Sequence, residues 1–133
     1  MNDPLGSDTP APEVVDLAHA LFDLARAGDA DRLAAYVDAG APVDLTDPAG
    51  NTLLMLAAYH GHPAAVDELA RRGADVDRLN DRGQSPLAGA VFKGEAEVVA
   101  VLLRHGAGPD AGQPTARETA AMFGREELLA GEA

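Results

Sequence analysis

The chain has 133 residues, which is the size of one ordinary domain, and a formal net charge of −12 from 10 basic and 22 acidic side chains. This acidic balance argues against nucleic-acid binding through a basic surface. Apolar residues make up 47% of the sequence, as in folded domains, and the absence of cysteine excludes disulfides, thiolate metal sites and cysteine nucleophiles. The longest apolar run, residues 53–59, is far too short to span a membrane.

The N-terminal segment differs in composition from the rest of the chain. It is rich in Pro, Asp, Ser and Gly and has no periodic apolar pattern, so we predict a disordered tail over residues 1–12 and one folded domain over residues 13–133. The segment does not match a secretory signal, and we expect a cytoplasmic protein. The strong preference for Arg over Lys suggests a bacterial, GC-rich genome.

The sequence repeats itself with a period of 33 residues. Gly28, Gly61 and Gly94 are separated by this interval, and so are the Gly-Ala pairs at 40–41, 73–74 and 106–107. A period of this length is typical of repeat proteins in which each unit stacks on its neighbours.

Each unit begins with signals for a short helix. Thr52 and Ser85 are N-cap residue types, and Pro86 suits the first helical position, where its missing N–H is not needed. Apolar residues at positions 54, 57 and 58 share one helix face. Gly61 can adopt the left-handed conformation that ends such a helix.

A second helix and a connection complete the unit. Apolar residues at positions 66, 69 and 70 predict a helix that starts near Pro63 and ends near Gly73. We expect extended stretches at residues 41–44 and 74–77, followed by tight turns at 47–50 and 80–83. Because no unit can bury its apolar face alone, the units are predicted to stack.

The two central units resemble the ankyrin repeat. They read DPAGNTLLMLAAYHGH and NDRGQSPLAGAVFKGE against the family pattern D-x-x-G-x-T-P-L-H-x-A-A-x-x-G-H. The resemblance implies an all-α ankyrin repeat solenoid of about four stacked helix-turn-helix units with short β-hairpin connections. Its units would be an N-terminal cap at 13–46, repeats at 47–79 and 80–112, and a shortened C-terminal cap at 113–133.

Some positions depart from the family pattern. Met55 and Ala88 stand where the family has an inner-helix His, and Leu53 stands where Pro is usual. Gly89 lies inside a predicted helix and costs about 1 kcal/mol relative to Ala. We therefore predict that the third unit is the least stable.

Catalytic and metal motifs are weak in this sequence. Residues 89–94 have the glycine spacing of a phosphate-binding loop, but Glu95 follows where Lys is required. His60 and His62 flank Gly61 without a matched third metal ligand. We expect no catalytic residues, no metal, no cofactor and no enzymatic activity.

The resemblance implies a concave face that binds a partner protein. Carrying the family's variable positions over by repeat register gives these candidate partner-binding residues: Arg26, Thr46, Pro48, Ala49, Asn51, Tyr59, His60, Leu79, Asp81, Arg82, Gln84, Phe92, Lys93, Met122 and Phe123. One residue per unit forms a row, namely Arg26, Tyr59, Phe92 and Met122, of types enriched in binding hot spots. The alternative is that these side chains pack inward between the inner helices.

The function predicted from the sequence is a non-catalytic, monomeric adaptor or regulator that binds another protein, with no nucleic-acid or membrane partner. The alternative is an acidic inhibitor or immunity protein that neutralises a basic toxin or nuclease, for which the net charge is the support. A third class, an enzyme, requires a defined pocket that the sequence does not reveal. Many acidic side chains, such as those at 95, 97, 126 and 127, fall at predicted helix starts, where they favour the helix dipole.

Overall fold

The structure is a computed structural model that describes residues 12–130. The predicted tail lies outside the described residues apart from Pro12, which begins the first helix. The last three residues of the predicted C-terminal cap, 131–133, also lie outside them. Within the described range the chain is helical with short connections, which confirms the predicted fold class.

The helices follow one another as four inner–outer pairs. The elements are α1 (Pro12–Ala27), α2 (Ala30–Asp38), α3 (Leu53–Tyr59), α4 (Pro63–Arg71), α5 (Pro86–Lys93), α6 (Ala96–Arg104), α7 (Ala116–Phe123) and a short 3-10 helix (Glu126–Leu129). The inner helices α1, α3, α5 and α7 pack in sequence, and the outer layer of α2, α4, α6 and the 3-10 helix does the same.

Side-chain caps start the inner helices α3, α5 and α7, and the first two caps were predicted. The Thr52 hydroxyl accepts a hydrogen bond from the Met55 amide at 3.0 Å, and Ser85 accepts one from Ala88 at 3.1 Å. A Thr115 capping box starts α7. Each cap satisfies a backbone N–H that has no partner within the helix.

The core lies between the two helix layers and repeats with the sequence. Leu21, Leu54 and Leu87 occupy the same register position in successive units, and each is at most 1% exposed. Fully buried Ala57 and Ala90 lie on the same inner helices. Such small side chains let the helices approach closely, which explains how an aromatic-poor chain still builds a dense core.

The connections are hairpin-shaped, but no strand forms between residues 12 and 130, where the only bridge is the isolated antiparallel pair Thr46–Thr52. The Asp47 amide donates to the Asn51 carbonyl at 3.0 Å, which closes one tip. The prediction of extended stretches was wrong. Residues 74–77 contain a turn because the Asp75 carboxylate accepts the amide of Asp77, and residues 41–44 also form a turn.

Candidate functional site: a groove over the inner helices

A groove of about 520 Å³ runs over the inner helices of the second, third and fourth units. Its lining includes eight of the predicted partner-binding residues: Ala49, Asn51, Tyr59, Arg82, Gln84, Phe92, Met122 and Phe123. The lining also contains residues that the sequence did not indicate: Met55, Leu56, Asn80, Ser85, Ala88, Gly89, Pro114 and Thr119. We call this set of 16 residues the groove.

The other predicted residues lie outside the groove: Arg26, Thr46, Pro48, His60, Leu79, Asp81 and Lys93. Most of them are exposed, but Thr46 is half-buried because it forms the bridge with Thr52. Asn51 lines the groove and is also half-buried, since its side-chain oxygen accepts a hydrogen bond from Asn80 at 2.9 Å. Thr46 and Asn51 therefore also hold the connections between helices in place, through the bridge to Thr52 and the hydrogen bond to Asn80.

Exposed aromatic rings form the walls of the groove. Tyr59 is 41% exposed and Phe92 is 49% exposed, so the alternative that they pack inward is wrong. The Phe92 ring meets Phe123 edge-on, with centroids 5.3 Å apart, although repeat register pairs Phe92 with Met122. The Lys93 ammonium lies 4.3 Å from the centre of the Tyr59 ring. These contacts hold the rings in place while much of their surface remains open to solvent.

The middle of the groove coincides with the departures from the ankyrin pattern. Met55 and Ala88, which replace the family's His, both line it, and so does Gly89. A Cβ atom built on Gly89 has only one neighbour within 4 Å, the Cδ1 of Tyr59 at 3.8 Å. The small side chains of the third unit therefore leave open space between the aromatic walls. The departures were the sequence signal that could have located these residues.

The groove contains no carboxylate, although the chain has 22 acidic residues. Its one charged member is Arg82. Several of the acids are engaged in the connections, where the Asp44 carboxylate accepts the amide of Asp75 and the Asp77 carboxylate accepts that of Gly108. The groove is thus electrostatically different from the chain as a whole.

Positive charges gather at the ends of the inner helices beside the groove. The pKa of the His60 imidazole is lowered, first by its partial burial and then by the positive charges of Lys93, His62 and Arg26. A lowered pKa favours the neutral imidazole at pH 7. Lys93 and Arg26 contribute a positive potential at this end of the inner helices.

The outer helices carry paired acids instead. Asp67 on α4 lies 2.7 Å from the His105 ring nitrogen and 3.0 Å from the Arg71 guanidinium. The hydrogen bond from His105 lowers the pKa of the Asp67 carboxyl, and nearby Arg71 and Arg104 act in the same direction. Arg72, which directly follows α4, likewise bridges Asp38 of α2 and Glu68 of α4. These pairs connect neighbouring outer helices.

The groove brings together no set of groups suited to proton transfer. The Ser85 hydroxyl caps α5, and the Thr119 hydroxyl donates to the Thr115 carbonyl at 2.8 Å. The lining contains no histidine or carboxylate that could accept a proton from either hydroxyl. The described part of the chain also holds no group of three His, Asp or Glu side chains placed to bind a metal. None of its helices is long and apolar enough to cross a membrane.

Comparison with known proteins agrees with the repeat architecture. The family model for ankyrin repeats (3 copies) matches residues 21–114. An ankyrin repeat protein of Pseudomonas aeruginosa is 44% identical over 64 residues, which are 45% of this chain and 37% of that relative. The chain therefore covers little more than a third of the relative's length. Since the family model matches well over half of the chain, this protein belongs to the ankyrin repeat family, whose members generally serve as protein–protein interaction modules.

Proposed function

We propose that the protein is a non-catalytic interaction module that holds a partner protein in the groove. The observation that carries the proposal is the exposure of Tyr59, Phe92 and Phe123 around an acid-free cleft. Exposed aromatic anchors around a concave centre are the features that dominate binding energy at protein interfaces. In this proposal the chain acts as a cytoplasmic monomer, as an adaptor or regulator, without nucleic acid or membrane.

The acidic-inhibitor alternative finds less support in the charge distribution. A basic toxin bound in the groove would meet Arg82 and no carboxylate. It would have to bind away from the groove, for example on the outer layer, where Asp67 and Asp38 already pair with basic side chains. Only acids such as Asp31 and Glu97 are exposed there without a salt bridge to another described residue. Groove binding therefore explains more of the structure than binding through net charge.

A capture experiment with matched variants tests the proposal. The full chain is immobilised and exposed to lysate of the organism that encodes it, and retained proteins are quantified by mass spectrometry. The test variant is Tyr59→Ala/Phe92→Ala. The control is Leu17→Ala/Tyr36→Ala, which removes two side chains of similar exposure, 40% and 39%, that lie outside the groove.

We expect a partner that is retained by the wild type and by the control, and lost from the groove variant. Truncating two anchors should reduce affinity by at least about 30-fold, the effect of about 2 kcal/mol. Circular dichroism must show that all three proteins are folded. Equal retention by the wild type and the groove variant would place binding elsewhere and contradict the proposal.

A further inference from the structure

We infer that the groove binds a segment of a partner protein with an apolar centre and carboxylates on either side. This inference rests on the proposed function and adds the chemistry of the bound segment. It follows from two features of the described residues: the apolar middle of the groove, and basic side chains at its edges that have no acidic partner.

The middle of the groove selects for an apolar side chain. Met55, Leu56 and Ala88 form its buried surface, and the open space above Gly89 lies between the Tyr59 and Phe92 rings. The Ser85 and Thr119 hydroxyls in the lining are already hydrogen-bonded to backbone. A polar side chain inserted there would lose its hydration without gaining a partner, whereas an aromatic or branched aliphatic side chain would bury apolar surface.

The edges of the groove select for carboxylates. Arg26, Arg71, Arg72 and Arg104 each pair with an acidic side chain. Arg82 at the hairpin side and Lys93 at the helix-end side are exposed, and neither forms a salt bridge with any residue between 12 and 130. In a chain where acids outnumber bases by more than two to one, two bases without acidic partners at one groove are available to an external carboxylate.

The net charge of −12 does not reverse this local preference. At physiological salt, interactions between exposed charges fall off over about 8 Å. A carboxylate in the groove would therefore respond mainly to the exposed charges nearest to it, the attractive Arg82 and Lys93 and the repulsive Asp81, and only weakly to acids on the outer helices. A segment rich in Lys or Arg would instead face the like charges of Arg82 and Lys93, which disfavours it.

Peptide selection tests the inference directly. A phage library of random dodecapeptides is selected against the wild-type chain and, in parallel, against Arg82→Glu/Lys93→Glu, with folding of both checked by circular dichroism. Both substituted residues are exposed, so the fold should be retained. On the wild type we expect peptides with an aromatic or aliphatic centre flanked by Asp or Glu. On the charge-reversed variant we expect Lys or Arg at the flanking positions.

Affinity measurements on the selected peptides separate the two levels of the proposal. The best wild-type peptide, labelled for fluorescence polarisation, should bind the charge-reversed variant at least about tenfold more weakly and should lose affinity as salt is raised. A wild-type consensus rich in Lys or Arg that still requires Tyr59 and Phe92 would overturn the charge inference and leave the proposed function standing. Selection that yields no peptide dependent on Tyr59 and Phe92 would overturn the proposed function itself.

Discussion

Neighbouring units of the stack meet at three junctions. The loop that follows the inner helix differs between the central junction and the two junctions at the ends of the stack. At the junction of the first and second units, the His62 ring nitrogen lies 2.7 Å from the Arg26 carbonyl. At the junction of the third and fourth units, Arg125 donates to the carbonyls of Val91 and Phe92. At both junctions the residue after the turn glycine links one unit to the unit before it.

The central junction lacks this link. Glu95 occupies the same position after Gly94, but a carboxylate has no hydrogen to donate to a carbonyl. It lies over Gly61, where an added Cβ would be 2.6 Å from its Oε2 atom. The Tyr59 carbonyl receives no helical hydrogen bond four residues later either, because Pro63 has no N–H.

The groove opens at this same central junction. Gly89 and Ala88 leave space there, and the Tyr59 and Phe92 rings stand exposed on either side. Of these features, Gly89 has a direct cost, because glycine in a helix is less stable than alanine. The two junctions at the ends of the stack therefore carry a link that the central junction lacks, and the proposed binding groove opens at the central one.

The largest expected stability effect is the loss of the link at the first junction. His62→Ala should lower the free energy of unfolding by about 1–2 kcal/mol, because it removes a hydrogen bond and a ring packed over Gly28. Chemical denaturation measures the change. His60→Ala is the control, since the exposed side chain of this neighbour makes no hydrogen bond within the described residues, only an edge-on ring contact with Tyr59, and its loss should change stability little. Equal losses in both variants would contradict the role of the link.

A stabilising effect is expected in the groove. Gly89→Ala should raise the free energy of unfolding by about 1 kcal/mol, because Ala favours the helix and its methyl group meets only Tyr59, at 3.8 Å. Thermal denaturation followed by circular dichroism checks the prediction. A lower melting temperature would contradict this prediction, because it would mean that Gly89 is needed for close packing of the helix.

A smaller gain is expected from supplying the missing donor at the central junction. Glu95→His should allow a bond to the Tyr59 carbonyl like that of His62, with a net gain of about 0.5 kcal/mol after loss of a carboxylate at the start of α6. The control is Glu97→His, which removes an acid from the same first turn away from the junction. If both variants have the same stability, the donor has no effect.

The smallest effect concerns the outer helices at the central junction, where solvent screens a partly exposed pair. The pKa of Asp67 is lowered from 3.8 by its hydrogen bond to His105. The stabilisation that the ionised Asp67 gives the folded protein is therefore fully present above pH 3.8 and is lost as the pH falls through the lowered pKa. Asp67→Asn should therefore destabilise the protein at pH 7, and the difference from wild type should shrink at about pH 3. Denaturation is measured at both pH values, and an equal difference in stability between variant and wild type at the two values would contradict the prediction.

The sequence predicted the elements because their signals are local. Each signal acts within one or two helix turns. The structure confirms the Thr52 and Ser85 caps, the proline at the start of α4 and the left-handed glycine after α5. The turn at 74–77 was missed because it depends on a carboxylate accepting a nearby amide, which competes with an extended backbone.

Contacts between units were harder to predict. The Phe92–Phe123 pair crosses a junction where the hairpin is three residues shorter, so repeat register pointed to Met122 instead. The Arg125 link to the Phe92 carbonyl depends on the same junction. The groove residues Met55 and Ala88 were identified only as departures from a pattern, since a space between units has no signal within one unit. Their role in binding stays a proposal.

The most direct test of the account is nuclear magnetic resonance mapping of the groove with a selected dodecapeptide. Peptide addition should shift the amide signals of Tyr59, Ala88, Gly89 and Phe92 and leave those of the outer helices α4 and α6 unchanged. Shifts concentrated on α4 and α6, with the inner helices unaffected, would contradict the claim that the central junction is the binding site.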